Sequence, residues 1–227
     1  MRTVSSRYRS IDTVAMTDAI TAELTSLGAN ITHKTHGLGS NKDLTIFNLN
    51  NYKTQDFGGI TPTIKFFNSH DGSSKAKFQV GFQRLICNNG CTISEDLFKH
   101  EVIHIKGDAT ERAIEMIPAA MAAAMKYIES ELLEYLAVLQ ETKVTKEQMV
   151  DIASSLNIPK SVKERVVKSA RDEEFRPTYD QDNSLFSLYN FTNQYIREGR
   201  KSTVNSQEKW EKTLLKDIAT AAEALVA

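Results

Sequence analysis

A chain of 227 residues with 41% hydrophobic and 25% charged side chains has the composition of a folded globular protein, long enough for one large domain or a domain with an appendage. No apolar run nears the roughly 20 residues that span a bilayer, the polar start MRTVSSRYRSIDT lacks a signal-peptide core, and two cysteines do not build a secreted disulfide framework, so a cytoplasmic protein with no membrane partner is expected. The net charge of −1 excludes a uniformly basic chain, yet Lys and Arg outnumber Asp and Glu by 12 to 9 over residues 1–107, against 2 to 6 over 108–140 and 14 to 14 over 141–227.

In chain order, Ser10 to Leu27 places Ile11, Val14, Ala15, Ile20, Leu24 and Leu27 at helical spacing, with Gly28 as the C-terminal cap. From Asn30 the period changes. Asn30–Thr35, Leu44–Leu49, Thr61–Asn68, Lys77–Cys87 and Cys91–Ile93 read as strands, separated by turn chemistry in HGLGSNKD, NYKTQDFGG, SHDGSS and NNG. Near Asp108 a long helix begins, with Asp108 and Glu111 at capping spacing and Ile114, Ile117, Met121, Met125, Ile128, Leu132, Leu136 and Leu139 as its buried stripe. Pro118 kinks that helix or marks its true start, because it has no N–H to donate and crowds the preceding turn. Thr145 with Gln148 and Ser161 with Glu164 predict two further helix starts, followed by helices from about Leu185 to Arg197 and from about Gln207 to Ala227. The whole predicts an α+β protein: residues 1–141 with an antiparallel, hairpin-rich sheet and a long packing helix, and residues 142–227 as a smaller helical region.

All five histidines, both cysteines and nine of ten glycines lie between Gly28 and Gly107, which locates any site there. Within that span Asn68-Ser69-His70-Asp71-Gly72 admits three readings. As a hairpin turn it joins TIKFF to KFQVGF through Asp-Gly. As a ligand loop, its N–H groups and the Asn68, Ser69 and His70 side chains grip phosphate or stack on a base. As a catalytic pair, His70 is a base and Asp71 its orienter, although no nucleophile signature accompanies them. Arg84, on the side of the strand shared by Phe78, Val80 and Phe82, is either an exposed or ion-paired arginine or a phosphate ligand helped by Lys34, Lys42, Lys75 and Lys77. Cys87 and Cys91 followed by His100 and His104 offer zinc-type ligands at an uncommon spacing, so no metal or cofactor is assigned. The segment around Ala153, Asn157 and Val162 has a helix-turn-helix rhythm but lacks the turn glycine, and reads as helical packing.

The pairing of NSHDG with the downstream G-F-Q-R-L-I-C-N-N-G at Gly81–Gly90, together with His104 and DNSLFSLYNFTNQYI at 182–196, resembles a family of phage- and plasmid-borne proteins, the domain of unknown function numbered nine hundred and thirty-two. That resemblance implies a mobile-element setting. It also implies that a two-cysteine site is not a shared feature, because members carry an apolar residue where this chain has Cys91. The order helix, strands, long helix is further similar in outline to phage single-strand annealing proteins, a fold-level analogy.

The function expected is therefore nucleic-acid binding, single-stranded DNA above all, in phage replication or recombination by a homo-oligomer, with Lys34, Lys42, Asn68, Ser69, His70, Lys75, Lys77 and Arg84 as the contacting residues. The alternatives are an enzyme acting on a nucleotide or phosphorylated substrate, and a host-interaction protein using its acidic long helix.

Overall fold

The computed structural model describes residues 8–38, 41–53, 59–84, 90–91, 101–102, 108–198 and 204–226. The chain divides into two compact units, Met1–Leu85 with Ser94–Glu129 and Ile86–Ile93 with Ser130–Ala227. The fold is α+β, as the alternation of periods requires.

In the first unit α1 spans Thr13–Ser26, later than the predicted start, because Asp12 is the N-cap: its carboxylate accepts the N–H groups of Val14 and Ala15. Gly28, at φ +83°, closes the helix; its N–H and that of Ala29 bond back to the carbonyls of Thr25 and Leu24. Ile11, Met16, Ile20 and Leu24 are buried, whereas Val14 and Leu27 are exposed, which corrects the predicted stripe. The actual stripe centres on Met16.

Four antiparallel strands follow: β1 (Ile31–Gly37), β2 (Lys42–Leu49), β3 (Ile60–Ser69) and β4 (Ala76–Arg84), paired in the order β1-β2-β3-β4. Two more strands have two residues each, β5 (Gly90–Cys91) and β6 (Glu101–Val102); β6 pairs with the start of β4. Thr45, Phe47 and Leu49 of β2 share a face with Ile64 and Phe66 of β3 and Phe78, Val80 and Phe82 of β4, and all eight are buried. With α1 and the later helices of the unit, this apolar face makes the core. At the sheet edge β1 exposes His33 and Lys34, charged and polar side chains that discourage pairing with another chain.

Asp108 caps α2 (Ala109–Glu115) by accepting from the N–H groups of Thr110 and Glu111. Pro118 then sits in the first turn of α3 (Ile117–Tyr127), so it marks a helix start, where its missing N–H costs nothing. A π turn at Ile128–Leu132 leads to α4 (Leu133–Glu141), and the division between the units falls in that turn.

The second unit continues with α5 (Lys146–Ser155), α6 (Lys160–Arg171), α7 (Leu185–Glu198) and α8 (Val204–Val226). Thr145 and Gln148 form the predicted reciprocal capping box. Ser161 and Glu164 do not, because Pro159 occupies the N-cap of α6 and already presets the backbone for the turn ahead. Helix α7 is buried nearly all round, and two polar centres hold its entry. Arg176, 5% exposed, donates to the carbonyl oxygens of Ser169, Ala170, Gln181 and Asp182 and to Asn183 Oδ1. Asp182 accepts from Lys143, Gln140, Ser184 and Ser187, while Ser184 Oγ accepts the Ser187 N–H at the helix start.

Burial pushes the Asp182 carboxyl up, but the hydrogen bonds from Lys143, Ser187 and Ser184 outweigh it and hold the group at about 2. Folding thus lowers this pKa, so the stabilisation is complete above the ordinary value of 3.8 and is lost as the pH falls through about 2. Asp182→Asn is expected to melt below the wild type at pH 7, with the gap closing over that window; circular-dichroism melts against pH check it, and a gap that stays constant on acidification contradicts the role.

Candidate nucleic-acid interface

Alternation along each strand sends every second residue to the face opposite the apolar core. The registers place those residues in rows across the sheet. His36, Leu44, Phe67 and Lys77 form one row, Lys34, Ile46, Lys65 and Gln79 the next, and Thr32, Asn48, Thr63 and Gly81 the third, with Lys42 and Ser69 paired at the near end. The strands β1–β4 bring no Asp or Glu to this face; across from Lys77 the register places Glu101 of β6. Phe67 is half-buried, and the Lys77 ammonium lies 4.5 Å from its ring centre. Thr63, Lys65 and Gln79 are buried, at 1%, 4% and 5% exposure. A basic, hydroxyl- and amide-bearing face with one accessible aromatic ring is therefore set back to back with an aromatic core.

The turn between β3 and β4, His70–Lys75, is built from its own polar groups. Asp71 Oδ1 accepts from the Ser73 N–H at 2.9 Å and from Ser69 Oγ at 2.8 Å. The Ser73 hydroxyl first, then the Ser73 N–H and Ser69 Oγ, hold its carboxyl well below the usual carboxylate range. Gly72, at φ +67°, carries the reversal, and a Cβ there would stand 3.0 Å from the Tyr8 ring. The Tyr8 hydroxyl donates to the Ser69 carbonyl at 2.5 Å. Asn68 is 2% exposed; its amide donates to the Ile11 carbonyl at 2.8 Å and to Thr13 Oγ1 at 2.9 Å, and its oxygen accepts the Ser69 N–H. His70 Nε2 meets Asp43 Oδ2 at 2.7 Å, and the same carboxylate oxygen accepts from Thr13 Oγ1 at 2.9 Å. His70 thus turns to Asp43 and not to the neighbouring Asp71. The turn ties the entry of α1 to β2 and β3.

The residues expected from sequence are therefore divided. Lys34, Lys42, Ser69 and Lys77 share the polar face, although Ser69 is fully buried. Asn68 belongs to the opposite face, where it clamps the N-terminal segment. Lys75 is exposed in the turn beside the sheet. Arg84 pairs in register with Ile60, on the apolar side, and its side chain lies outside the described residues, as do the side chains of Cys87, Cys91, His100 and His104. Among the described residues no three His, Cys, Asp or Glu side chains group as metal ligands. Lys65, Gln79, Thr63 and Asn48 were missed, although the alternation of T-I-F-N-L, T-P-T-I-K-F-F and K-F-Q-V-G-F carries the signal.

Two substitutions separate clamp from face. Asn68→Ala removes a buried donor from two acceptors and should lower stability by about 1–3 kcal/mol. Thr63→Val removes a buried hydroxyl that has no hydrogen-bond partner and should raise stability by about 1 kcal/mol, both read from urea unfolding.

No curated protein and no solved structure matches the chain. The model of one family, described as Domain of unknown function (DUF932), matches residues 1–219, as the paired NSHDG and GFQRLICNNG strings led us to expect, and the chain belongs to that family.

Proposed function

We propose that the chain binds single-stranded nucleic acid across the polar face of its sheet. The observation that carries this reading is the row His36, Leu44, Phe67 and Lys77 flanked by Lys34 and Lys42, a set in which cations surround one accessible aromatic ring. A base has a π face whatever its sequence, so Phe67 gives a stacking platform, while Lys34 and Lys42 neutralise the phosphates on either side. Lys34 is exposed and Lys42 half-buried, both within reach of a strand laid over β1 and β2. No helix among the described residues is long and apolar enough to cross a membrane. On this reading the NSHDG turn supports the face without contacting the strand, and the work is done as a homo-oligomer in the replication or recombination of a mobile element, the setting that the family resemblance implied.

Fluorescence anisotropy with a labelled mixed-sequence single strand, titrated across salt, tests it. The wild type should bind at low salt and weaken steeply, and Lys34→Ala with Lys42→Ala should flatten the log–log salt slope by about 0.7 for each lysine that held a phosphate. Absence of binding at low salt, or an unchanged slope in the double variant, contradicts the reading.

A further inference from the structure

We propose that α6 is a second nucleic-acid site, the recognition helix of a helix-turn-helix that lies in the major groove of duplex DNA. The site belongs to the second unit and does not depend on the sheet face. Of the 12 residues of α6, five are Lys or Arg and one is Glu, whereas none of the other α-helices of the unit has a basic excess. Val162 and Val166 turn inward, at 6% and 0% exposure, and α6 packs on α5 and α7. Lys160, Glu164, Lys168 and Arg171 recur at helical spacing on the opposite side, and all four are exposed. Arg165, on the flank, pairs with Glu198. Among the described residues Lys160, Lys163 and Arg171 join no ion pair, so their charge is left for a polyanion.

The connection Leu156–Pro159 holds the two helices together. Ala153, Leu156 and Ile158 are buried, and the Asn157 N–H donates to Asp217 Oδ2 at 2.9 Å. Leu156 (φ −54°, ψ 136°) and Pro159 (φ −54°, ψ 141°) are extended, so α5 is left and α6 entered without the left-handed backbone for which a turn glycine is usual. The major groove of B-form DNA, about 12 Å wide, admits a helix laid along its outward face, and recognition helices meet it through their N-terminal residues. The exposed acids Asp172, Glu173 and Glu174 follow α6, which confines the contact to that same end, where Lys160 and Lys163 stand to meet phosphates. Glu164, between Lys160 and Lys168, is the one acid in the row, and a carboxylate in the groove accepts from the cytosine amine. Duplex RNA is the wrong occupant, because its major groove is too deep and narrow for side chains to read.

Fluorescence anisotropy with the full chain and a labelled DNA duplex of about 20 base pairs, two helical turns, tests it beside the matching single strand and an RNA duplex of the same sequence. The wild type should bind the DNA duplex at low salt, and the RNA duplex about tenfold more weakly. Lys160→Ala with Lys163→Ala should flatten the log–log salt slope for duplex DNA by about 0.9 for each lysine that held a phosphate and leave single-strand binding unchanged. Lys34→Ala with Lys42→Ala should do the reverse. If the first double variant melts below the wild type, Lys160→Gln alone, at an exposed position, carries the comparison. Absence of duplex binding at low salt, or a duplex slope that the Lys160 and Lys163 changes leave intact, overturns the inference. Equal binding of the DNA and RNA duplexes overturns the groove docking. Loss of single-strand binding with duplex binding kept overturns the sheet-face reading and supports this one.

Discussion

The structure of the first unit depends on the strict alternation of one central strand. β3 is paired on both sides, to β2 and to β4, and is buried on both faces along most of its length. Pro62, Ile64 and Phe66 point into the apolar core, while Thr61, Thr63 and Lys65 point the other way. A slip of one residue would exchange the two sets, sending a lysine and two threonines into a core of phenylalanines and methionines. Because the neighbouring strands obey the same alternation, a single register decides where the core lies and which side carries the cations.

Where β3 ends, the alternation hands over to a hydrogen-bonded turn with a different task. Asn68 is the last inward-facing residue of the strand, and it joins the sheet to the start of α1 through Ile11 and Thr13. His70 and Asp43 make a second tie to Thr13, and Tyr8 a third to Ser69 and Gly72. The polar residues that look most reactive in the sequence are thereby the ones most fully engaged by the chain itself. Those that look least reactive, Asn48, Thr63 and Gln79 of the alternating strands, keep unmet hydrogen-bonding capacity.

That inversion explains how much was legible beforehand. Strand positions, the Gly28 cap, the Asp108 cap, the Thr145–Gln148 box and the role of Pro118 follow from local chemistry, which sequence displays directly. The choice of which lysines gather on one face required the inter-strand register, and register depends on partners on another strand, as in Lys34 facing Ile46 and Thr45 facing Phe66. His70 illustrates the same limit. Adjacent Asp71 was the visible partner, yet Asp43, 27 residues distant, is the one that the sheet brings within 2.7 Å. The start of α6 was misplaced for the opposite reason: a serine at capping spacing was outweighed by a proline two residues earlier that sets the backbone on its own.

The central claim is that the polar sheet face, and not the NSHDG turn, is the surface that meets a ligand. Photocrosslinking a single strand carrying 5-iododeoxyuridine to the full chain, with the attachment sites mapped by mass spectrometry, tests it most directly. The account predicts attachment at Lys34, His36, Lys42 or Phe67, the accessible residues of that face. Attachment confined to His70–Lys75 or to the helices of the second unit would contradict it.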